Sequence, residues 1–150
     1  MADKDRDNKE AMVLIIEDND SDAALMQRIL ARRVSPGSIH RVSNGYEAFD
    51  LLQHWDGDPP RLVLLDLDLP GLSGLEVLKR LRASPETRHI PVVVIGSSAD
   101  GDDVALSYDL GANSFISKAV EPEQFEFTIG HIAPYWLELN QPHVLPGANR

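Results

Sequence analysis

The sequence contains no cysteine, which excludes disulfide bonds and thiolate catalysis. Long apolar runs are also missing: none approaches the roughly 20 residues that span a bilayer, and the first ten residues are too charged for a signal peptide. Basic residues are in the minority, with 14 Lys and Arg against 24 Asp and Glu, so no basic face is available for a phosphate backbone. We therefore expect a cytoplasmic protein that binds neither nucleic acid nor membranes.

The composition is that of one folded domain, since 150 residues with 43% hydrophobic content can build a real core. Residues 1–10 carry mixed charge without apolar periodicity, which predicts a flexible N-terminal tail. We expect the domain itself over residues 11–133, and a helix end with a C-terminal arm over residues 134–150.

Short apolar runs alternate with amphipathic segments along the domain, a pattern typical of βα units. The predicted strands are residues 11–16, 39–42, 62–65, 92–95 and 114–117. Asp20 or Ser21 can cap the first helix and Ser73 the third, while Gly111 favours a left-handed end to the fourth. Pro134 should kink or divide the last helix. Five such units predict an α/β fold with a parallel sheet covered by helices on both faces.

Polar residues follow these strands at the edge where parallel sheets bind ligands. Crowded carboxylates repel each other unless a cation joins them, and oxygen donors without histidine or thiolate favour Mg²⁺. A carboxylate beside Mg²⁺ and an ammonium group can attack phosphorus and form an aspartyl phosphate. Taken singly, such acids commonly cap helices and such a lysine is a surface charge; the combination is more specific. The residues after strands one, three, four and five are Glu17 and Asp18, Asp66 and Asp68, Gly96 and Ser97, and Lys118.

From residue 11 to about residue 132, the chain resembles the receiver domain of bacterial two-component response regulators. The resemblance rests on five features: the Glu17-Asp18 pair, "LLDLDLPGLSG", Pro91 before the fourth strand, "GAN" at residues 111–113, and Lys118 after the fifth strand. It implies a flavodoxin-like, doubly wound sheet of five parallel strands in the order 2-1-3-4-5, with five helices.

The resemblance also implies a role for each residue of the acid set. Asp66 would be the phosphoacceptor that takes a phosphoryl group from a histidine kinase. Asp18 and Asp66 would hold Mg²⁺ by their side chains, Asp68 by its backbone carbonyl, and Glu17 through a water. Lys118 would pair with the phosphoryl group, and the Asp68 side chain would influence how water reaches the acyl phosphate.

Two short stretches, "YDLGAN" and "YWLELNQP", resemble the single-domain regulators that work with phytochrome-type kinases. The expected partner is therefore a sensor histidine kinase such as a bacteriophytochrome. No output domain follows the last helix, which predicts a signalling protein that docks or relays phosphate and is not an enzyme.

Tyr135, Trp136 and Leu137 are consecutive, so one helical face cannot bury all three. They predict a homodimer through the last helix and arm; the alternative is that they fold back on their own domain.

Two positions depart from the family pattern, and a third is an aromatic residue without a hydroxyl group. Gly96 stands where the family has Thr or Ser, and Ala119 follows Lys118 where the family has proline. Phe115, the aromatic of the fifth strand, carries no hydroxyl. We expect Asp66 to be phosphorylated despite these differences. We expect the coupling between phosphorylation and conformational change to be weaker. Alternation along a strand predicts that the Ser97 side chain points away from the site, unless the glycine lets Ser97 or Ser98 reach in.

Two other interpretations remain. "LVLLDLDLP" resembles the D-x-D motif of haloacid-dehalogenase-type phosphatases, but here an acid pair lies upstream and the domain is too short for a cap. A pseudo-receiver that docks partners without being phosphorylated is favoured by Gly96 and Ala119. That interpretation is opposed by the intact set of Glu17, Asp18, Asp66 and Lys118.

Overall fold

The computed structural model of the chain describes residues 13–97 and 101–143. Its sheet has five parallel strands in the order β2-β1-β3-β4-β5, which confirms the predicted topology. The predicted tail at residues 1–10 and the end of the predicted arm, residues 144–150, lie outside the described residues. The strands are β1 (Val13–Ile16), β2 (Ile39–Val42), β3 (Leu62–Asp66), β4 (Val92–Gly96) and β5 (Ser114–Ser117).

Helices follow each strand, and the described part of the chain contains the five that the sequence predicts. A single 3-10 turn (Pro36–Ser38) precedes β2, and a π-helical turn (Tyr135–Leu139) continues the last helix. The α-helices are α1 (Asp20–Leu30), α2 (Gly45–Gln53), α3 (Gly74–Ala83), α4 (Gly101–Asp109) and α5 (Pro122–Pro134).

The core lies on both faces of the sheet, which explains the continuous apolar runs. Successive strand residues point to opposite faces, so Ile15 of β1 contacts one helical layer while Leu14 contacts the other. The first layer comes mainly from α1 and α5, including Ile29 and Ile129. The second comes mainly from α2 and α3, including Leu78. Both layers must form for the central strands to be buried.

The start of α1 differs from the prediction of Asp20 or Ser21 as its cap. Asn19 has extended backbone angles, and its Oδ1 accepts a hydrogen bond from the Asp22 N–H at 2.9 Å. Asp20 lies inside the helix instead, and its carboxylate pairs with Arg41 at 3.0 Å. The prediction was wrong because the helix begins one residue earlier, where an asparagine satisfies the free N–H groups as well as an aspartate does. The predicted Ser73 cap of α3 is confirmed.

One guanidinium fastens the amino-terminal ends of β4 and β5. Arg82 of α3 donates to the carbonyls of Gly111 at 2.9 Å and Ile90 at 2.7 Å, and to Asn113 Oδ1 at 2.9 Å. The same Asn113 oxygen accepts from the Val92 N–H at 2.8 Å. Gly111 has a φ of 105°, which confirms the predicted left-handed helix end. The "GAN" motif is therefore structural in this chain.

The last helix divides at Pro134, as predicted, because α-helical geometry gives way there to a π-helical turn. Leu137 is buried in the core and Trp136 packs against it, so these two residues fold back on their own domain. Tyr135 and Leu139 stay exposed, at 48% and 76%. In the part of the chain that the structure describes, no helix has the length and apolar character needed to cross a membrane.

Candidate functional site

Three carboxylates converge where β1 and β3 end. The two strands are neighbours, with Ile16 paired to Leu65, so the next residues, Glu17 and Asp66, lie side by side. Oxygen atoms of Glu17, Asp18 and Asp66 all lie within 4.8 Å of one another. Glu17 is fully buried and Asp66 is only 3% exposed, whereas Asp18 faces solvent. The acids that the sequence singled out therefore form one cluster with an open side.

Backbone contacts fix the loops that carry these acids. Arg41 on β2 donates from Nε and one Nη to the Glu17 carbonyl, at 2.9 and 2.7 Å. The Asp68 N–H donates to Asp66 Oδ1 at 3.1 Å, so the loop after β3 bends back over the carboxylate. Asp68 thus contacts the Asp66 carboxylate through its backbone N–H.

Lys118 reaches the cluster from the end of β5. Its Nζ donates to Glu17 Oε1 and to Asp22 Oδ2, the latter at 2.9 Å, and lies 3.6 Å from Asp66 Oδ1. The lysine side chain is 18% exposed. Its backbone N–H bonds the Gly96 carbonyl at 2.7 Å, which ties the lysine to the neighbouring strand. The predicted ammonium group is therefore present beside the predicted phosphoacceptor.

Asp22 is a site residue that the sequence reasoning missed. It lies in the first turn of α1, a helix that begins directly after the Glu17-Asp18 loop. That position near the strand ends was the available signal, because a first-turn side chain of such a helix lies close to the carboxyl edge of the sheet. In the sequence, Asp22 cannot be distinguished from an ordinary aspartate in the first turn of a helix, where the helix dipole favours negative charge.

The electrostatics show that the cluster holds more negative charge than one lysine offsets. Burial raises the pKa of Glu17 to about 8, and the neighbouring Asp66 adds to this, although Lys118 acts in the opposite direction. Burial would lower the pKa of Lys118, but hydrogen bonds to Glu17 and Asp22 outweigh it and the pKa rises. An all-oxygen donor set with excess negative charge fits a hard divalent cation.

The end of β4 differs from expectation at one residue. The Ser97 hydroxyl donates to Asp68 Oδ2 at 2.5 Å, so the prediction that this side chain points away from the site is wrong. Ser97 follows the last residue of β4, where strand alternation no longer applies. Ser98 lies outside the described residues. Among those described, all peptide bonds are trans, including the bond between Lys118 and Ala119.

Gly96 and Phe115 are in direct contact across β4 and β5. A Cβ atom at position 96 would lie 2.6 Å from Phe115 Cζ, which is closer than real carbon atoms approach. The phenyl ring therefore occupies the volume that a Thr or Ser side chain would need. Phe115 packs against the same core layer as α2 and α3.

This geometry agrees with a comparison against known families: residues 13–129 match the response regulator receiver domain. The chain belongs to that family. It is 37% identical over 133 residues to the probable methanogenesis regulatory protein FilR2 of Methanothrix harundinacea, covering 87% of this chain and 86% of FilR2. It is 33% identical over 138 residues to response regulator Rcp1 of Synechocystis, covering 89% of this chain and 94% of Rcp1.

Solved structures give the same result. The phosphorylated cyanobacterial phytochrome response regulator RcpA is similar with a TM-score of 0.81 and 34% identity, over 89% of this chain and 98% of that one. The Mn²⁺-bound form of Rcp1 is similar with a TM-score of 0.78 and 30% identity, over 89% of this chain and 99% of that one. The predicted receiver domain is confirmed, and the chain is a two-component signalling protein of the class that partners with histidine kinases. Its acid cluster is suited to a divalent metal ion.

Proposed function

We propose that this receiver domain accepts a phosphoryl group on Asp66 from a sensor histidine kinase, with Mg²⁺, and signals by docking to other proteins. The observation that carries the proposal is the convergence of Glu17, Asp18 and Asp66 with the Lys118 ammonium group at one edge of the sheet. The proposed chemistry is limited to accepting a phosphoryl group on Asp66 and losing it again by hydrolysis, without turnover of another substrate.

In the proposed reaction, an Asp66 carboxylate oxygen attacks the phosphorus of a phosphohistidine. A new P–O bond forms while the P–N bond breaks, and the histidine nitrogen leaves with the electron pair. Lys118 lies 3.6 Å from Asp66 Oδ1 and is placed to pair with a phosphoryl oxygen. The Asp68 N–H orients the attacking carboxylate through its bond to Oδ1. Positioning and charge neutralisation supply most of the rate enhancement.

The metal proposed for this site is Mg²⁺, on the basis of its oxygen donors. Asp18 and Asp66 would hold it by their carboxylates, Asp68 by its carbonyl and Glu17 through a water. When bound, the ion supplies positive charge to the oxygens of the transferring phosphoryl group. The relative Rcp1 has been solved with Mn²⁺ bound, which supports a divalent ion here as well.

The proposed kinase is of the phytochrome type, such as a bacteriophytochrome, because RcpA is a phytochrome response regulator and aligns over 89% of this chain. The cytoplasmic location and the absence of nucleic-acid and membrane partners stay predictions from the sequence. The pseudo-receiver remains the second candidate function, since Gly96 removes a hydroxyl that would contact the phosphoryl group.

Intact mass after incubation with Mg²⁺ and a small phosphodonor separates the two candidates. The proposal predicts one phosphoryl adduct in the native protein and none when EDTA removes the metal. A pseudo-receiver would show no adduct under either condition. Adding a phytochrome-type kinase with its phosphohistidine then tests the proposed donor class.

We also propose a homodimer that uses the exposed surface of the last helix and arm, comprising Phe127, Tyr135 and Leu139. These side chains are 62%, 48% and 76% exposed, and large exposed apolar groups favour association. Deleting residues 134–150 would remove Leu137 from the core, so substitution is the cleaner test. Tyr135→Glu with Leu139→Glu should halve the mass measured by light scattering, whereas Tyr46→Glu, at an exposed position of α2, should not. A monomeric native protein would reject the dimer.

A further inference from the structure

The contacts of Lys118 involve an acid that belongs to neither the family motif nor the metal cluster. Asp22 Oδ2 accepts a hydrogen bond from Lys118 Nζ at 2.9 Å, although the two residues are 96 positions apart in the chain. Asp66 is farther from the same nitrogen, at 3.6 Å, and makes no hydrogen bond with it. The ammonium is therefore held by an acid of α1 while it faces the proposed phosphoacceptor.

An ammonium group has three N–H donors, and the structure assigns two of them. One bonds the buried Glu17 carboxylate and one bonds Asp22, so the ammonium group is held both from the end of β1 and from α1. The third donor is left for the side on which Asp66 lies. A lysine tail has four rotatable bonds, and two fixed hydrogen bonds remove most of that freedom.

The position of Asp22 is itself fixed by the fold. Its N–H bonds the Asn19 side chain at the start of α1, and the helix packs on the core through Met26 and Ile29. The carboxylate is 39% exposed, so it forms the outer wall of the lysine's surroundings, while Glu17 forms the inner wall. A side chain in this position can orient Lys118 without touching the phosphoryl group.

We propose that Asp22 is a positioning residue for phosphoryl transfer: it holds Lys118 so that its remaining N–H meets the phosphoryl group on Asp66. The inference rests on the proposed phosphorylation of Asp66. Losing the Asp22 carboxylate leaves the ammonium anchored at one point, and misplaced catalytic groups slow reactions substantially.

Nuclear magnetic resonance of the Lys118 ammonium tests the contact without phosphorylation. In ¹⁵N-labelled protein we expect a slowly exchanging ammonium signal, assigned by its loss in Lys118→Met. Asp22→Ala should remove this signal, and Asp22→Asn should keep it because the amide oxygen still accepts. Asp20→Ala is the matched control, since Asp20 is also a first-turn acid of α1 but is 92% exposed and pairs with Arg41. A signal that persists in Asp22→Ala overturns the proposal.

Phosphorylation rates with a small phosphodonor and Mg²⁺ test the consequence. Asp22→Ala should label about tenfold more slowly than the native protein, and Asp22→Asn within about threefold of it. Asp20→Ala should label at the native rate. An Asp22→Ala protein that labels at the native rate, or Asp22 variants that both label faster, would overturn the positioning role. Absence of labelling in the native protein would instead refute the proposed function. The ammonium signal would in that case still test the hydrogen bond between Lys118 and Asp22.

Discussion

Phe115 fills the space beside Gly96, where a side chain would bring its Cβ within 2.6 Å of the ring. The Phe115 ring therefore packs directly against Gly96, and position 96 offers no hydroxyl that could contact a phosphoryl group. A charge-assisted hydrogen bond contributes about 1.5–3 kcal/mol. Coupling between sites is commonly only about 1–3 kcal/mol, so we expect the loss of this hydrogen bond to weaken the switch substantially.

The first prediction is that the surroundings of Phe115 respond weakly to a phosphoryl mimic. Beryllofluoride with Mg²⁺ should cause small NMR shift changes around Phe115 in the native protein. Gly96→Thr should displace the ring and give larger changes, because its hydroxyl can bond the mimic. Gly96→Ala is the matched control, since its methyl group displaces the ring without supplying a hydroxyl. Large changes in the native protein that Gly96→Thr leaves unaltered would show that the glycine is irrelevant.

The second prediction concerns the pH dependence of metal binding. Glu17 has a pKa of about 8 in the metal-free protein, so below this pH it is mostly protonated and less negative charge attracts the ion. Metal binding then releases a proton, and Mg²⁺ affinity should rise with pH until about 8 and level off above it. Calorimetric titrations between pH 6 and 9 measure this. Glu17→Gln should flatten the dependence; an equal rise in that variant would assign the effect to another group.

The third prediction separates the structural arginine from the site. Arg82→Met should lower the free energy of unfolding by about 2–3 kcal/mol, because four carbonyl or amide oxygens lose a charged donor. Arg80→Met is the matched control on the same helix, where an exposed pair with Glu76 contributes less than about 0.5 kcal/mol. Urea denaturation measures both. Equal losses of unfolding free energy in the two variants would contradict the role of Arg82 in joining the ends of β4 and β5.

Much of the fold was predictable because its signals are local. The runs at residues 13–16 and 62–65 are apolar on both faces, and that pattern is typical of strands buried in a parallel sheet. The acid cluster was predictable for the same reason, since residues that end neighbouring parallel strands meet at one edge. Gly111 and Ser73 were predictable from the backbone conformations that helix ends require.

The contacts that the sequence could not predict join distant elements. The hydrogen bonds from Lys118 to Asp22, from Arg41 to the Glu17 carbonyl, and from Ser97 to Asp68 each depend on how side chains meet after the sheet has formed. The Asn19 cap was missed because residues 18–22 are all Asp, Asn or Ser, each of which can cap a helix, and only the backbone conformation decides between them. The position of the Phe115 ring beside Gly96 was likewise not predictable, because it depends on side-chain packing between two strands.

Site-specific labelling tests the central claim most directly. Native protein, Asp66→Asn and Asp68→Asn are incubated with Mg²⁺ and a small phosphodonor, and intact mass is followed over time. We expect one phosphoryl adduct on the native protein, none on Asp66→Asn, and an adduct of altered lifetime on Asp68→Asn, whose backbone contact with residue 66 is unchanged. An adduct that persists in Asp66→Asn would contradict the assignment of Asp66 as the phosphoacceptor.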